Sequence, residues 1–279
     1  MKKQMKWIAA ALSVLTLAVS AEEQVIWKLD GSNTDFSDKH STKAWFADKK
    51  GTAPLVEKTE DGGFVIKGHL SRYLSLKPGA WLVFELVKAE RQDPKKYTNW
   101  SIHCFDKTYS GGIVGNVSQI PVGLYTIKIT GLEKQIWSAL RFYDYNLNLT
   151  FRYMKLVNDP ENSLGAEVPE GKTLLYPGDK FTVVLSLKEP CEDVTCKLML
   201  DTGTGPRPFS VNGTDTVELK PTDKDGKIWK AEITLKNFAQ QKKPVNARAV
   251  RIKATVLGGK LETPIYGNIP AGFRMEAEK

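Results

Sequence analysis

Phe181-Thr182-Val183-Val184-Leu185-Ser186-Leu187 carries an apolar residue at every odd position, and Trp229-Lys230-Ala231-Glu232-Ile233-Thr234-Leu235-Lys236 alternates apolar and polar residues strictly. A period of two sends successive side chains to opposite faces of a pleated strand, so each run describes a strand with one dry and one wet side. Tyr125-Thr126-Ile127-Lys128-Ile129 repeats the pattern earlier in the chain, and Trp81 to Val87 is an apolar run of strand length. Turn chemistry separates such runs: Asp61-Gly62-Gly63, Asn212-Gly213, Asp225-Gly226 and Gly258-Gly259, the last two placed as tight hairpins. No amphipathic helix longer than two turns emerges; Ala44 to Lys50 suits one short turn. One-sided alternation is the habit of antiparallel sheets, so the expected class is all-β, built as sandwiches.

The chain starts differently. Lys2, Lys3 and Lys6 precede an apolar run from Trp7 to Ala18, then the small residues Val19, Ser20 and Ala21, then Glu22-Glu23. That order reads as a secretory signal peptide over residues 1–21, cleaved after Ser20 or Ala21. The apolar run falls short of the ~20 residues that span a bilayer. No Cys follows it to carry a lipid, and no later stretch reads as a membrane span. The expected location is secreted or periplasmic.

The 279 residues carry 40 Lys+Arg against 32 Asp+Glu, a net +8, of which the leader lysines supply three. The remainder is even: 19 basic against 17 acidic residues over 22–164, and 18 against 15 over 165–279. Nucleic-acid binding needs a clustered basic footprint, so it is not expected; acidic glycans stay open as partners. Cys191 and Cys196 lie five apart and, in an exported protein, are expected to close a small disulfide loop; Cys104 reads as a small buried hydrophobe. The polar, aperiodic Asn158 to Gly165 marks a boundary.

Trp81 to Val87, Pro121-Val122-Gly123-Leu124-Tyr125-Thr126-Ile127-Lys128-Ile129, and Leu140 to Val157 with its break at Asn146-Leu147-Asn148 together resemble a galactose-binding-like jelly-roll of the carbohydrate-binding-module type. Tyr176-Pro177-Gly178-Asp179, the Trp229 strand and the Gly258-Gly259 hairpin resemble a bacterial immunoglobulin-like or fibronectin-III-like domain, without the Cys…Trp…Cys spacing of antibody domains. The expected layout is a signal peptide (1–21), a jelly-roll sandwich (22–160), a linker (161–168) and an immunoglobulin-like sandwich (169–279).

Sugar recognition uses flat aromatic faces and planar polar side chains. Arg141, Tyr143 and Tyr145 share one face of a predicted strand, and Trp100 and His103 stand near a loop that would bring them to it. The competing reading packs the two tyrosines into the core. Trp27, Trp81 and Trp137 stand beside apolar positions and are assigned to core. Asp30, Asp35 and Asp38 form an oxygen-rich loop suited to structural calcium, although the EF-hand order is missing and an Asx turn explains it equally. Asn99-Trp100-Ser101, Asn116-Val117-Ser118, Asn148-Leu149-Thr150 and Asn212-Gly213-Thr214 match the glycosylation acceptor, read as chance in a chain of bacterial style. Only three histidines occur, His40, His69 and His103, and no nucleophile elbow, zinc motif or phosphate loop. The expectation is a non-catalytic exported protein without cofactor, contacting glycan through its first half. The alternatives are a structural or adhesion protein that contacts other proteins, and an accessory part of a polysaccharide-degrading system.

Overall fold

The computed structural model describes residues 23–30, 41–42, 56–67, 70–96, 99–105, 122–129, 134, 136–201, 206–208, 216–236, 245–247 and 249–275. For residues 70–75, 99–105 and 136–145 the description is of backbone and strand register. The signal peptide read at 1–21 lies outside the described residues, as do Asp35 and Asp38.

The described chain is all-β, with no helix among the described residues. Its strands form sheets of 15, four and three strands. The large sheet runs from Lys220–Pro221 through Ile228–Thr234, Lys180–Ser186, Ser163–Glu167, Ile265–Ile269, Gly123–Lys128, Trp81–Arg91, Leu147–Val157 and Phe64–Lys67 to Val56–Lys58. Two branches leave this path. Asp193–Asp201 pairs with Ala249–Leu257, which pairs in turn with Ile265–Ile269; Val25–Asp30 pairs with Leu147–Val157.

Two hydrophobic cores follow from the alternation. Leu82, Phe84 and Leu86 join Tyr125, Ile127, Phe64 and Phe151 in one. Phe181, Val183, Leu185, Trp229 and Ile233 join Leu198, Ile252 and Phe273 in the other. The register Leu185↔Trp229, Val183↔Ala231, Phe181↔Ile233 puts the two runs that opened the sequence reading side by side, apolar faces aligned. Val83, Leu124 and Val157 project from the first-half sheet into the second core. The strand from Trp81 is therefore buried on both faces, which is why it reads as a continuous apolar run and not an alternating one.

Ser163–Glu167, within the region expected as a linker at 161–168, is a strand. It pairs antiparallel with Lys180–Ser186 and in parallel at Gly165↔Asn268. Ile265–Ile269 pairs in parallel with Gly123–Lys128 (Ile265↔Leu124, Tyr266↔Tyr125), so hydrogen bonding crosses the boundary without a break. The join is close. A Cβ on Gly267 would stand 1.9 Å from the Leu164 carbonyl oxygen. The buried Thr126 hydroxyl accepts the Leu164 N–H at 2.9 Å and faces the Leu164 and Tyr266 carbonyls at 3.2 and 3.3 Å. The Tyr266 ring stacks on Tyr125 (centroids 4.7 Å, 19°), which stacks on Phe84 (4.7 Å, 6°). The Tyr266 hydroxyl is buried and has no hydrogen-bond partner among the described residues, and burial pushes its pKa up to about 12.

Asp225-Gly226 lies in a hairpin turn, but not a tight one: Thr222 N–H donates to the Ile228 carbonyl at 2.8 Å, and residues 223–227 form the loop. The Asp223 carboxylate accepts N–H groups of Ile228 at 2.9 Å and Lys227 at 3.0 Å, which hold its pKa below the ordinary carboxylate value, and Gly226 takes φ 66°. Gly258-Gly259 does not make a tight hairpin. Ala249–Leu257 outruns its partner, whose pairing ends at Ala254↔Ile265, because residues 255–257 stay bound to Asp193–Thr195; the chain returns through the longer connection 258–264.

Candidate functional site

The aromatic residues singled out in the sequence lie on the four-stranded sheet. Its order is Ser41–Thr42, Leu70–Leu76, Ile136–Tyr145, Asn99–Phe105. The central strand, Ile136–Tyr145, pairs antiparallel on both sides without a register shift. Arg141 stands opposite His103 on one side and Ser71 on the other; Ser101 is opposite Tyr143, and Asn99 opposite Tyr145. Residues directly opposite share a face, so Arg141, Tyr143, Tyr145 and His103 stand at positions of one face. Trp100 is opposite Asp144, at the alternate parity, and so belongs to the other face.

Leu76 fixes which face is which. It is 2% exposed and sits in the first core, and it pairs with Ile136. Its parity carries the apolar Leu70, Leu74, Ile102, Cys104, Leu140 and Phe142, together with Trp100 and the polar Arg72, Ser138 and Asp144. The Arg141 face is the opposite one. Three aromatic residues outside the sequence assignment fall on it by register: Tyr73 and Phe105 (both opposite Ala139) and Trp137 (opposite Ser75). The sequence assigns Trp137 to core because it follows the apolar Ile136, but parity separates it from Leu76. The signal for Tyr73 is present: in Leu70-Ser71-Arg72-Tyr73-Leu74-Ser75-Leu76 the leucines hold the even positions.

A corner anchors the end of this strand. Asn146 takes φ 61°, a left-handed conformation that Asn tolerates better than most residues, and there the chain passes from the four-stranded to the large sheet. Its side-chain amide donates to the Asp93 and Lys96 carbonyls at 2.8 and 3.1 Å, and its oxygen accepts the Asp93 N–H at 2.8 Å. Gln92 Nε2 donates to the Leu147 carbonyl at 2.9 Å and to Asn148 Oδ1 at 3.0 Å. Tyr145 is thus the last residue before a firmly bonded turn, and Asn148 has its side chain committed to that turn.

A second polar cluster lies on the large sheet. Glu85, buried at 8% exposure, pairs with Arg152 at 3.2 Å, and Glu23 pairs with Lys155. Lys155 Nζ lies 5.2 Å from the Tyr153 ring centroid. Burial, then the Glu85 and Glu23 charges, push the Tyr153 hydroxyl up to about 12. Each carboxylate has its own cation, and the cluster ties residue 23 to the sheet. A groove of about 270 Å³ lies among Leu187, Val256 and Leu261, rimmed by Asn162, Lys188 and Lys260. Its ammonium groups are engaged by Glu161 at 2.6 Å and Glu189 at 3.4 Å.

The expected Cys191–Cys196 disulfide is absent: both are free thiols. Cys196 lies within the Asp193–Asp201 strand with its side chain in the second core, whereas Cys191 precedes the strand. Burial pushes the Cys196 thiol up to about 12. Of the calcium candidates, Asp30 is described; it is held by Lys28 at 2.7 Å. No group of three or more potential metal ligands occurs among the described residues. No helix among them is long and apolar enough to cross a membrane.

No family model and no curated protein matches the chain. Among solved structures it is similar to a DUF4785 family protein from Legionella pneumophila, at 12% identity and TM-score 0.24 over 75% of this chain and 56% of that one. It is also similar to red sea bream transglutaminase, at 8% identity and TM-score 0.20 over 84% of this chain and 33% of that one. The chain thus spans about half and a third of the lengths of these two proteins.

Proposed function

We propose that this is an exported, non-catalytic binding protein whose four-stranded sheet contacts carbohydrate through the face of Arg141, Tyr143 and Tyr145. One observation carries the reading: the register that sets His103 and Ser71 on either side of Arg141, and Ser101 beside Tyr143, at the parity opposite the buried Leu76. Aromatic rings stack on the C–H faces of sugars while guanidinium, imidazole and hydroxyl groups meet the sugar oxygens. Trp100, at the other parity, is left out of the site; Trp137 and Tyr73 extend it. Native affinity electrophoresis through gels containing soluble polysaccharides tests the proposal. Retardation by at least one polymer is expected, with loss of about tenfold or more in Tyr143→Ala and Tyr145→Ala. No retardation by any polymer refutes it.

A second reading rests on a different observation. Among the described residues Asn99–Phe105 pairs on one side only, and an edge strand is a template for a partner's strand. It predicts concentration-dependent association in analytical ultracentrifugation, abolished by a proline at Ile102.

A further inference from the structure

We infer that the Arg141 face selects carboxylate-bearing glycans, such as chains of uronic acid, over neutral ones. This rests on the glycan reading above and adds the chemical class of the ligand. On the Ile136–Tyr145 strand the positions of this face are Trp137, Ala139, Arg141, Tyr143 and Tyr145. Asn99, Ser101, His103 and Phe105 supply it from one neighbour; Ser71, Tyr73 and Ser75 supply it from the other, with Thr42 beyond. No Asp or Glu stands at any of these positions. The only acidic residue of these strands, Asp144, is at the opposite parity.

Two nitrogen-rich residues, Arg141 and His103, therefore hold directly opposite cross-strand positions, and no acidic residue holds a position of this face on these strands. An arginine guanidinium binds a carboxylate as a planar bidentate fork, and an imidazole N–H donates to the same oxygens, so this pair of positions suits a carboxylate. Tyr143 and Tyr145 follow Arg141 at the same parity at ~6.7 Å intervals, so the aromatic positions and the Arg141–His103 pair fall in one line along the strand. A polymer with a carboxylate on its sugar rings matches that line. An acidic peptide matches the charge alone.

The probe is polygalacturonate, with its fully methyl-esterified form as the matched neutral polymer, used with the purified protein in native affinity electrophoresis at fixed ionic strength. The expected result is at least tenfold tighter retention by the acid than by the ester. Arg141→Gln is expected to erase that preference, Arg141→Lys to keep part of it, and Lys220→Gln, on an exposed strand of the second half, to keep it whole. Tyr143→Ala should weaken both polymers. Equal retention by acid and ester overturns the inference and leaves sugar binding standing. A preference that survives in Arg141→Gln overturns the assignment of the site. Competition by polyglutamate as strong as by free galacturonate oligomers shows charge attraction alone and also overturns it. The wild-type comparison of acid with ester decides the question even if a variant fails to fold. Failure of any polysaccharide to retain the protein removes the glycan reading itself.

Discussion

Replacing Tyr266 by Phe should stabilise the protein. The ring is 3% exposed and stacked on Tyr125 at 4.7 Å, and its hydroxyl lies buried without a partner among the described residues. Phe keeps the ring and removes the hydroxyl. A buried polar group left unsatisfied costs about 1–3 kcal/mol, so the substitution should recover about that much. For a chain of this size each kcal/mol moves Tm by roughly 2–4 °C, giving an expected rise of about 2–12 °C. The alkaline limb provides an independent check. Folding raises the Tyr266 pKa from 10.0 to about 12, so its neutral form is favoured in the native state. The corresponding stability is fully present below pH 10 and is lost as pH rises from 10 to 12, by about 3 kcal/mol at ~1.4 kcal/mol per unit. Urea melts followed by circular dichroism, at pH 7 and from pH 9 to 12, measure both effects. The Tyr266→Phe variant should raise the neutral-pH midpoint and flatten the alkaline decline. A loss of more than about 1 kcal/mol at neutral pH, or an unchanged alkaline slope, would show that the hydroxyl has a partner or is not buried, and would refute the reasoning.

Gly267→Ala places a methyl carbon 1.9 Å from the Leu164 carbonyl oxygen and should cost about 3 kcal/mol or more, read as a lower urea midpoint. Asn146→Ala removes three hydrogen bonds and leaves an alanine at φ 61°; a loss of about 2–4 kcal/mol is expected, and Asn146→Gly should lose less because glycine accepts the backbone. Native protein treated with a thiol reagent should modify Cys191 slowly and Cys196 only on unfolding. Mass spectrometry under non-reducing conditions should show no Cys191–Cys196 bond.

The alternation in Phe181–Leu187 and Trp229–Lys236 makes two central strands legible, since the period alone assigns each side chain a face. The Ser163–Glu167 strand is hidden because its sequence, Ser-Leu-Gly-Ala-Glu, carries turn-favouring residues and buries only its middle; its partners lie elsewhere in the chain. The parallel pairing of Ile265–Ile269 with Gly123–Lys128 joins residues about 140 apart, which no local pattern encodes. The disulfide expectation rests on sequence spacing alone, and spacing does not decide whether two thiols meet: both are free. At the candidate site, Arg141, Tyr143 and Tyr145 are visible as a shared parity of one strand. That His103 faces Arg141 while Trp100 faces Asp144 is a matter of inter-strand register, and register belongs to the fold.

The seam between Gly123–Lys128 and Ile265–Ile269 has a mechanical consequence. The two strands run parallel, so a load that drags one half along the strand axis must shear their hydrogen bonds, the Thr126 clasp and the Tyr125–Tyr266 ring contact together, and cannot peel them one by one. A protein anchored through one half and tugged through the other would transmit that tension as a stiff strut. The four-stranded sheet would keep its bearing under flow or traction, where two beads on a flexible tether would swing apart.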